Sequence, residues 1–107
     1  MALAVIGIGA ASHAAAQATF YEDDNFRGRR ISVSRATPDF ARIGFNDRAS
    51  SVVIRGGTWR LCQDAHFRGR CIVLNPGRYR SLTRFGFNDV VSSAGPARRP
   101  PPRPQPR

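Results

Sequence analysis

From Thr19 onward, apolar and polar positions alternate over short runs. Residues 20–21, 31–34, 52–54, 59–62 and 71–74 are rich in β-branched or aromatic side chains, and Gly, Pro, Asn and Asp interrupt them at close spacing. Runs of this kind read as short strands joined by turns. No segment sustains an apolar period of 3.6 residues, so the pattern predicts an all-β sandwich or barrel. The apolar run at residues 2–11 is different in kind. It leads to Ala16-Gln17-Ala18, which fits the small-x-small rule for cleavage of a secretory signal peptide before Thr19. The run is too short to span a bilayer as a helix. No Lys or Arg precedes it, so an upstream start, a truncated N-terminus or a membrane-anchored N-terminus stand as alternatives. The expected organisation is a leader at 1–18, one domain at 19–95 and a tail at 96–107.

An internal repeat refines the architecture. Tyr21-x-x-x-x-Phe26-x-Gly28 aligns with Cys62-x-x-x-x-Phe67-x-Gly69 at an offset of 41 residues, as do Ile31 and Val33 with Ile72 and Leu74. Asn46-Asp47 aligns with Asn88-Asp89 at an offset of 42, after a gap difference around Phe40 and Tyr79. A unit of this length holds about four short strands and cannot bury a core alone, so two units must share one. Phe26 and Phe67 are expected to fold back over their hairpins. Gly28 and Gly69 are expected to take a backbone conformation closed to residues with a Cβ.

Each unit ends on the same stretch: Phe45-Asn46-Asp47-Arg48-Ala49-Ser50-Ser51, then Phe87-Asn88-Asp89-Val90-Val91-Ser92-Ser93. Asn, Asp and Ser offer carboxylate, amide and hydroxyl oxygens, a hard donor set that suits Ca²⁺ better than a transition metal. The alternative is turn chemistry alone, with Asx and Ser hydrogen bonds to the backbone. Two copies at matching places in a longer repeat favour the calcium loop.

The paired hairpins, each followed by N/D-N/D-x-x-S/T-S, resemble the two Greek-key motifs of the βγ-crystallin family over residues 19–95. The resemblance implies a β-sandwich of two Greek keys with about eight strands and, in microbial members, a pair of calcium ions between the motifs. It makes Asp47, Ser50, Asp89 and Ser92 side-chain ligands. It also makes the carbonyls of Arg48, Val90, Asp24 and Ala65 backbone ligands, with Asn46 and Asn88 ligating or bracing. Residues 76–82 resemble the family's tyrosine-corner segment, with residues 39–43 as its shortened partner. Cys62 departs from the pattern where the first hairpin has Tyr21, and Arg48 places a cation within the first loop. With one carboxylate per loop, the affinity should lie on the order of 10⁻⁴ to 10⁻³ M.

Composition narrows the remaining choices. The 107 residues allow one domain. All 17 basic residues are Arg against 7 acids, giving +10, of which residues 19–95 carry +6. Cys62 and Cys71 sit on the two arms of the second hairpin, and export predicts a disulfide between them rather than buried thiols. His66, at the hairpin tip, reads as a solvated loop residue. With one His after residue 18 and none beside a Ser, the chain reads as non-enzymatic. A Pro/Arg-rich tail should be disordered or extended. It could hold acidic glycans or lipid head groups by charge, whereas export and the lack of an aromatic-basic platform argue against nucleic acid. Residues 100–104 also resemble an SH3 ligand. The expectation is a secreted or periplasmic, monomeric calcium-binding protein without a transmembrane span in its mature form. A rival reading is an exported inhibitor or adhesion module, binding a protease or an acidic surface polymer through Arg-rich loops and tail.

Overall fold

The computed structural model describes residues 17–97. The bulk of the expected leader and the Pro/Arg-rich tail from residue 98, with its SH3-like stretch, lie outside the described residues. Seven strands run in the order β1 (Ala18–Asp23), β2 (Arg27–Val33), β3 (Ser51–Ile54), β4 (Trp59–Asp64), β5 (Arg68–Leu74), β6 (Gly77–Tyr79) and β7 (Ser93–Pro96). They form two antiparallel sheets, β2-β1-β3-β6 and β5-β4-β7. The expected all-β double sheet is therefore present. Three short 3-10 turns, Phe40–Ile43, Ala65–Phe67 and Leu82–Phe85, are the helical elements among the described residues. β1 begins at Ala18, which is fully buried, and Gln17 is already bonded to the backbone of Val33 and Arg55. The described fold thus takes in two residues assigned to the leader and extends through Pro96.

The alternation read from the sequence sets which side of each strand meets the other sheet. Ala18, Phe20, Val52 and Ile54 face inward from the first sheet, and Trp59, Leu61, Leu74 and Ala94 from the second. The core is closed by Phe40, Phe45, Leu82 and Phe87 from the connecting segments, all fully buried. Each such side chain contributes about 1.5–3 kcal/mol on leaving water. Phe20 and Phe40 meet edge to face, with centroids 5.2 Å apart.

The two units do not each keep their own sheet. β6 belongs to the second repeat yet pairs with β3 of the first, through Val52↔Tyr79 and Val53↔Arg78. The first repeat returns the exchange with a single bridge, Thr37↔Ala94. Both pairings match at the offset of 42, so Thr37 holds the place of Tyr79. This bridge occupies the position of the eighth expected strand. The pairings lost are those before Thr37: Arg35 holds the place of Gly77, and at this register it faces Pro96, which has no N–H for a ladder. The alignment of residues 39–43 with the tyrosine-corner segment is corrected accordingly. Asp39 caps the first 3-10 turn through the Ala41 N–H as Ser81 caps the second through that of Thr83, which sets Phe40 against Leu82, three residues past Tyr79. The Tyr79 hydroxyl donates to the Asn75 carbonyl at 2.6 Å, as a tyrosine corner requires.

Both hairpins fold back as expected. Gly28 and Gly69 have φ of 81° and 75°, and a Cβ there would lie 2.6 Å from Asp23 Oδ2 and 2.5 Å from Asp64 Oδ2. The two residues before the first Arg of each returning strand also lie in the left-handed region: Asn25 and Phe26, His66 and Phe67. A bulky residue there is strained. The ring contacts compensate: Phe26 meets Tyr21 edge-on at 5.7 Å and lies under Arg78, and Phe67 lies under Arg60. Cys62 and Cys71 are directly opposed in the β4–β5 ladder and form a disulfide, with Cα atoms 4.1 Å apart. Among the described residues no helix is long and apolar enough to cross a membrane.

Candidate functional site

The two repeated loops meet back to back, joined by reciprocal hydrogen bonds. Each is anchored by its Phe. Gly44 and Gly86, at φ of 71° and 73°, end the preceding 3-10 turns, and the following Phe45 and Phe87 N–H groups donate to the carbonyls of Phe40 and Leu82. Asp47 and Asp89 then adopt φ of 56° and 57°. Asp tolerates this left-handed conformation better than most residues with a Cβ. The turn aims each Asp at the opposite loop. The Asp47 N–H donates to the Val91 carbonyl at 3.1 Å, and the Asp89 N–H to the Ala49 carbonyl at 2.9 Å.

The side chains cross in the same sense. Ser50 Oγ donates to Asp89 Oδ1 at 3.0 Å, and Ser92 Oγ donates to Asp47 Oδ1 at 3.1 Å. On its other oxygen each Asp accepts from its neighbour, Asn46 to Asp47 at 3.2 Å and Asn88 to Asp89 at 3.3 Å. Asp and Ser of one loop, grouped together by the sequence motif, are thus separated by the fold, and each joins its counterpart from the other loop. The Asn side chains brace the Asp side chains. Arg48 and Val90 follow the Asp residues, and Val90 packs its side chain against the core. Asp24 stands at the tip between β1 and β2, and Ala65 opens the 3-10 turn between β4 and β5.

The second Ser of each motif has a different task. Ser51 Oγ accepts from the Phe26 N–H at 3.0 Å and donates to the Asp23 carbonyl at 2.6 Å. Ser93 does the same for Phe67 and Asp64, at 3.0 and 2.6 Å. Both are fully buried, and each clasps its folded hairpin to the adjoining loop. The hairpin strands also reach the first Ser: the N–H of Ser50 donates to the Tyr21 carbonyl at 2.8 Å and that of Ser92 to the Cys62 carbonyl at 2.9 Å. Ser50 with Asp89 therefore belongs to the first hairpin, and Ser92 with Asp47 to the second.

A cavity of about 230 Å³ opens beside the loops, lined by Glu22, Asp23, Asp47, Arg48 and Asp89. Glu22 and Asp23 were not among the candidate residues. Their signal in the sequence was the run Glu22-Asp23-Asp24, against Gln63-Asp64-Ala65 in the second repeat. Arg48 Nη1 lies 4.0 Å from Glu22 Oε2, and Arg29 Nε lies 2.8 Å from the same oxygen. Among the described residues no group of three or more His, Cys, Asp or Glu side chains is close enough to hold one ion. A cation here would be held by a single carboxylate together with hydroxyl and carbonyl oxygens, a donor set that fits Ca²⁺ and offers nothing soft to a transition metal. His66 is exposed at the second hairpin tip, apart from any such group.

The exchanged sheets, the folded hairpins and the paired loops define a two-motif Greek-key domain. The sequence model of the Beta/Gamma crystallin family matches residues 17–96, and the chain belongs to that family. It is 35% identical over 69 residues to a beta/gamma-crystallin of Ciona intestinalis, covering 64% of this chain and 82% of that one. A solved beta gamma crystallin from Ciona intestinalis superposes with a TM-score of 0.73 at 30% identity, over 76% of this chain and 99% of that one. Gamma-crystallin S of Oryctolagus cuniculus is 38% identical over 76 residues, which is 70% of this chain but 41% of that one. A transition-metal-ion-binding betagamma-crystallin from Methanosaeta thermophila superposes with a TM-score of 0.66 at 28% identity, over 73% and 96% of the two chains. Metal-ion binding thus occurs among the relatives.

Proposed function

We propose that the chain is a non-enzymatic calcium-binding domain whose two ion sites are assembled across the loop pair. The observation that carries this reading is the crossed arrangement of Ser50 with Asp89 and Ser92 with Asp47. Turn chemistry would satisfy each loop within itself, whereas here carboxylate and hydroxyl oxygens converge from different loops. One ion would take Asp89 and Ser50 with carbonyls of the first hairpin and loops, the other Asp47 and Ser92 with those of the second. The carbonyls of Arg48, Val90, Asp24 and Ala65 are the backbone donors, and Asn46 and Asn88 act as braces. Bound Ca²⁺ would supply cross-linking charge rather than catalysis, tying the two repeats together. The disulfide suggests an oxidising compartment and supports export to a secreted or periplasmic location.

Isothermal titration of metal-stripped protein with CaCl₂ tests the reading. Two binding events with dissociation constants in the micromolar to millimolar range are expected. The absence of heat at millimolar Ca²⁺ would leave the loops as turn chemistry.

A further inference from the structure

The two repeats serve as each other's control, and one outer face departs strongly from its twin. On the first sheet Ile31, Phe20, Val52 and Tyr79 face the core, so Arg30, Tyr21, Val53 and Arg78 face outward. Arg55 is exposed and donates to Thr19 Oγ1, in the outward row at the end of β3. Arg80 continues the alternation one residue past β6. The matching positions on the second sheet hold Cys71 for Arg30, Ala36 for Arg78, Pro38 for Arg80 and Ala97 for Arg55. In return the second sheet has only Arg60 where the first has Thr19. A solvated coat of charge has no reason to fall on one face of a near-symmetric molecule.

The carboxylates of the first repeat do not neutralise this face. Glu22, Asp23 and Asp47 line the loop cavity, and Asp39 caps a 3-10 turn. Asp24 lies at the hairpin tip beside Asn25, whose N–H donates to the Arg80 carbonyl, without an ion pair to any described Arg. The ion pairs between described residues are those of Glu22 with Arg29 and Arg48, so Arg30, Arg78 and Arg80 have no described carboxylate within 4.0 Å. Strands β2 and β6 are the two edges of the sheet, three strand spacings apart, so the arginines border a stripe about 15 Å wide. Arg78 is held by the Phe26 ring, at 4.5 Å from its centroid. That contact orders the guanidinium and leaves its charge directed at solvent.

We propose that the outer face of the first sheet binds an extended acidic polysaccharide, whose carboxylate or sulfate groups pair with Arg30, Arg78 and Arg80. Planar guanidinium groups take such oxyanions in bidentate fashion. A single-stranded nucleic acid fits less well, because it needs open ring faces for stacking and Phe26 is covered by Arg78. A membrane fits less well too, because the strongly exposed large apolar side chains, Ile43 and Val73, are not on this face. The oxidising compartment suggested by the disulfide is where acidic glycans occur.

The test uses the full chain and measures binding to size-defined heparin and polygalacturonate fragments, with a DNA oligonucleotide and phosphatidylserine vesicles as competitors. Three variants each remove Arg charge: R30T/R78Q/R80S on the face, R35S/R42S/R84S elsewhere on the domain, and R98Q/R99Q/R103Q/R107Q in the tail. The face variant should weaken glycan binding by about tenfold or more and flatten its salt dependence, while the other two change it less than about threefold. Thermal melts confirm folding. Should loss of the Arg78–Phe26 contact unfold the triple variant, R30T/R80S carries the test. Equal losses in the three variants, loss confined to the tail variant, no glycan binding, or tighter binding of DNA or vesicles than of either glycan would each overturn the proposal.

Discussion

Two adjacent serines in the same motif do different work, because one hydroxyl faces the other loop and the next faces the hairpin. Ser51 is fully buried with both its hydrogen-bonding roles filled by backbone groups, the Phe26 N–H and the Asp23 carbonyl. Ser51→Ala strands both groups and should destabilise the metal-free protein by about 1–3 kcal/mol. Ser50→Ala removes a bond to a carboxylate that solvent can reach, so it should leave the metal-free fold near its starting stability and weaken Ca²⁺ binding. Urea unfolding of both variants, with and without Ca²⁺, reads the contrast. Equal destabilisation of both without metal would show that the two hydroxyls are not so divided. Arg48 also changes meaning at this scale. From the sequence it handicaps the first loop, but in the structure it lines a cavity shared by Asp47 and Asp89 and approaches Glu22.

The hairpin is the element through which sequence changes reach the site. In the second repeat the disulfide replaces the Tyr21–Arg30 pair of the first, at the same ladder position. Reduction, or replacement of both Cys by Ser, should cost roughly 2–3 kcal/mol, by the loop-entropy argument for a short closed loop. Because the Cys62 carbonyl holds the Ser92 amide, the same change should weaken the site of Ser92 and Asp47 more than that of Ser50 and Asp89. A paired titration of oxidised and reduced protein would show one affinity falling and the other holding. The first hairpin brings Glu22 to the cavity where the second has Gln63. Glu22→Gln should therefore weaken the tighter Ca²⁺ site several-fold, by about 1 kcal/mol for a partly screened charge. Unchanged affinity in that variant would place Glu22 outside the field of the ion.

Across the whole molecule, the loops sit where the two repeats join, so an ion bound there links both halves of the core. Ca²⁺ should raise the melting temperature, by the equivalent of about 2.7 kcal/mol per site at a hundred times the dissociation constant. Mg²⁺ should do much less, since it demands a tight octahedron that a mixed carbonyl and side-chain set does not readily supply. Asp89→Ala should remove more of the gain than Asp47→Ala. The reason is the crossing: Asp89 joins Ser50 on the side of the first hairpin, where Glu22 adds negative charge. Calorimetric melts of the two variants check the order. The reverse order would separate Glu22 from the Ser50–Asp89 side and leave the crossed pairs themselves in place.

The period-two alternation, the duplicated hairpin and the repeated Phe-Asn-Asp stretch were sufficient for the all-β class and the sharing of one core, and they set Cys62 and Cys71 on facing arms of one hairpin, where expected export made a disulfide of them. These features are local or strictly periodic, and a strand declares its buried face through its own side chains. The left-handed glycines were legible for the same reason, since a Cβ at Gly28 or Gly69 collides with a residue five positions earlier in the chain. The partnership of each loop was not. Asp47 and Ser50 lie three residues apart, and nothing in that spacing says that each will bond across the molecule to Ser92 and Asp89. That outcome depends on the exchange of β6 and Thr37 between the sheets, which sets the loops back to back. Glu22 was overlooked for a related reason: its place beside the loops comes from the packing of a hairpin end, not from a motif. Periodicity fixed which residues face the core, and only the long-range pairing of strands decided which oxygens meet.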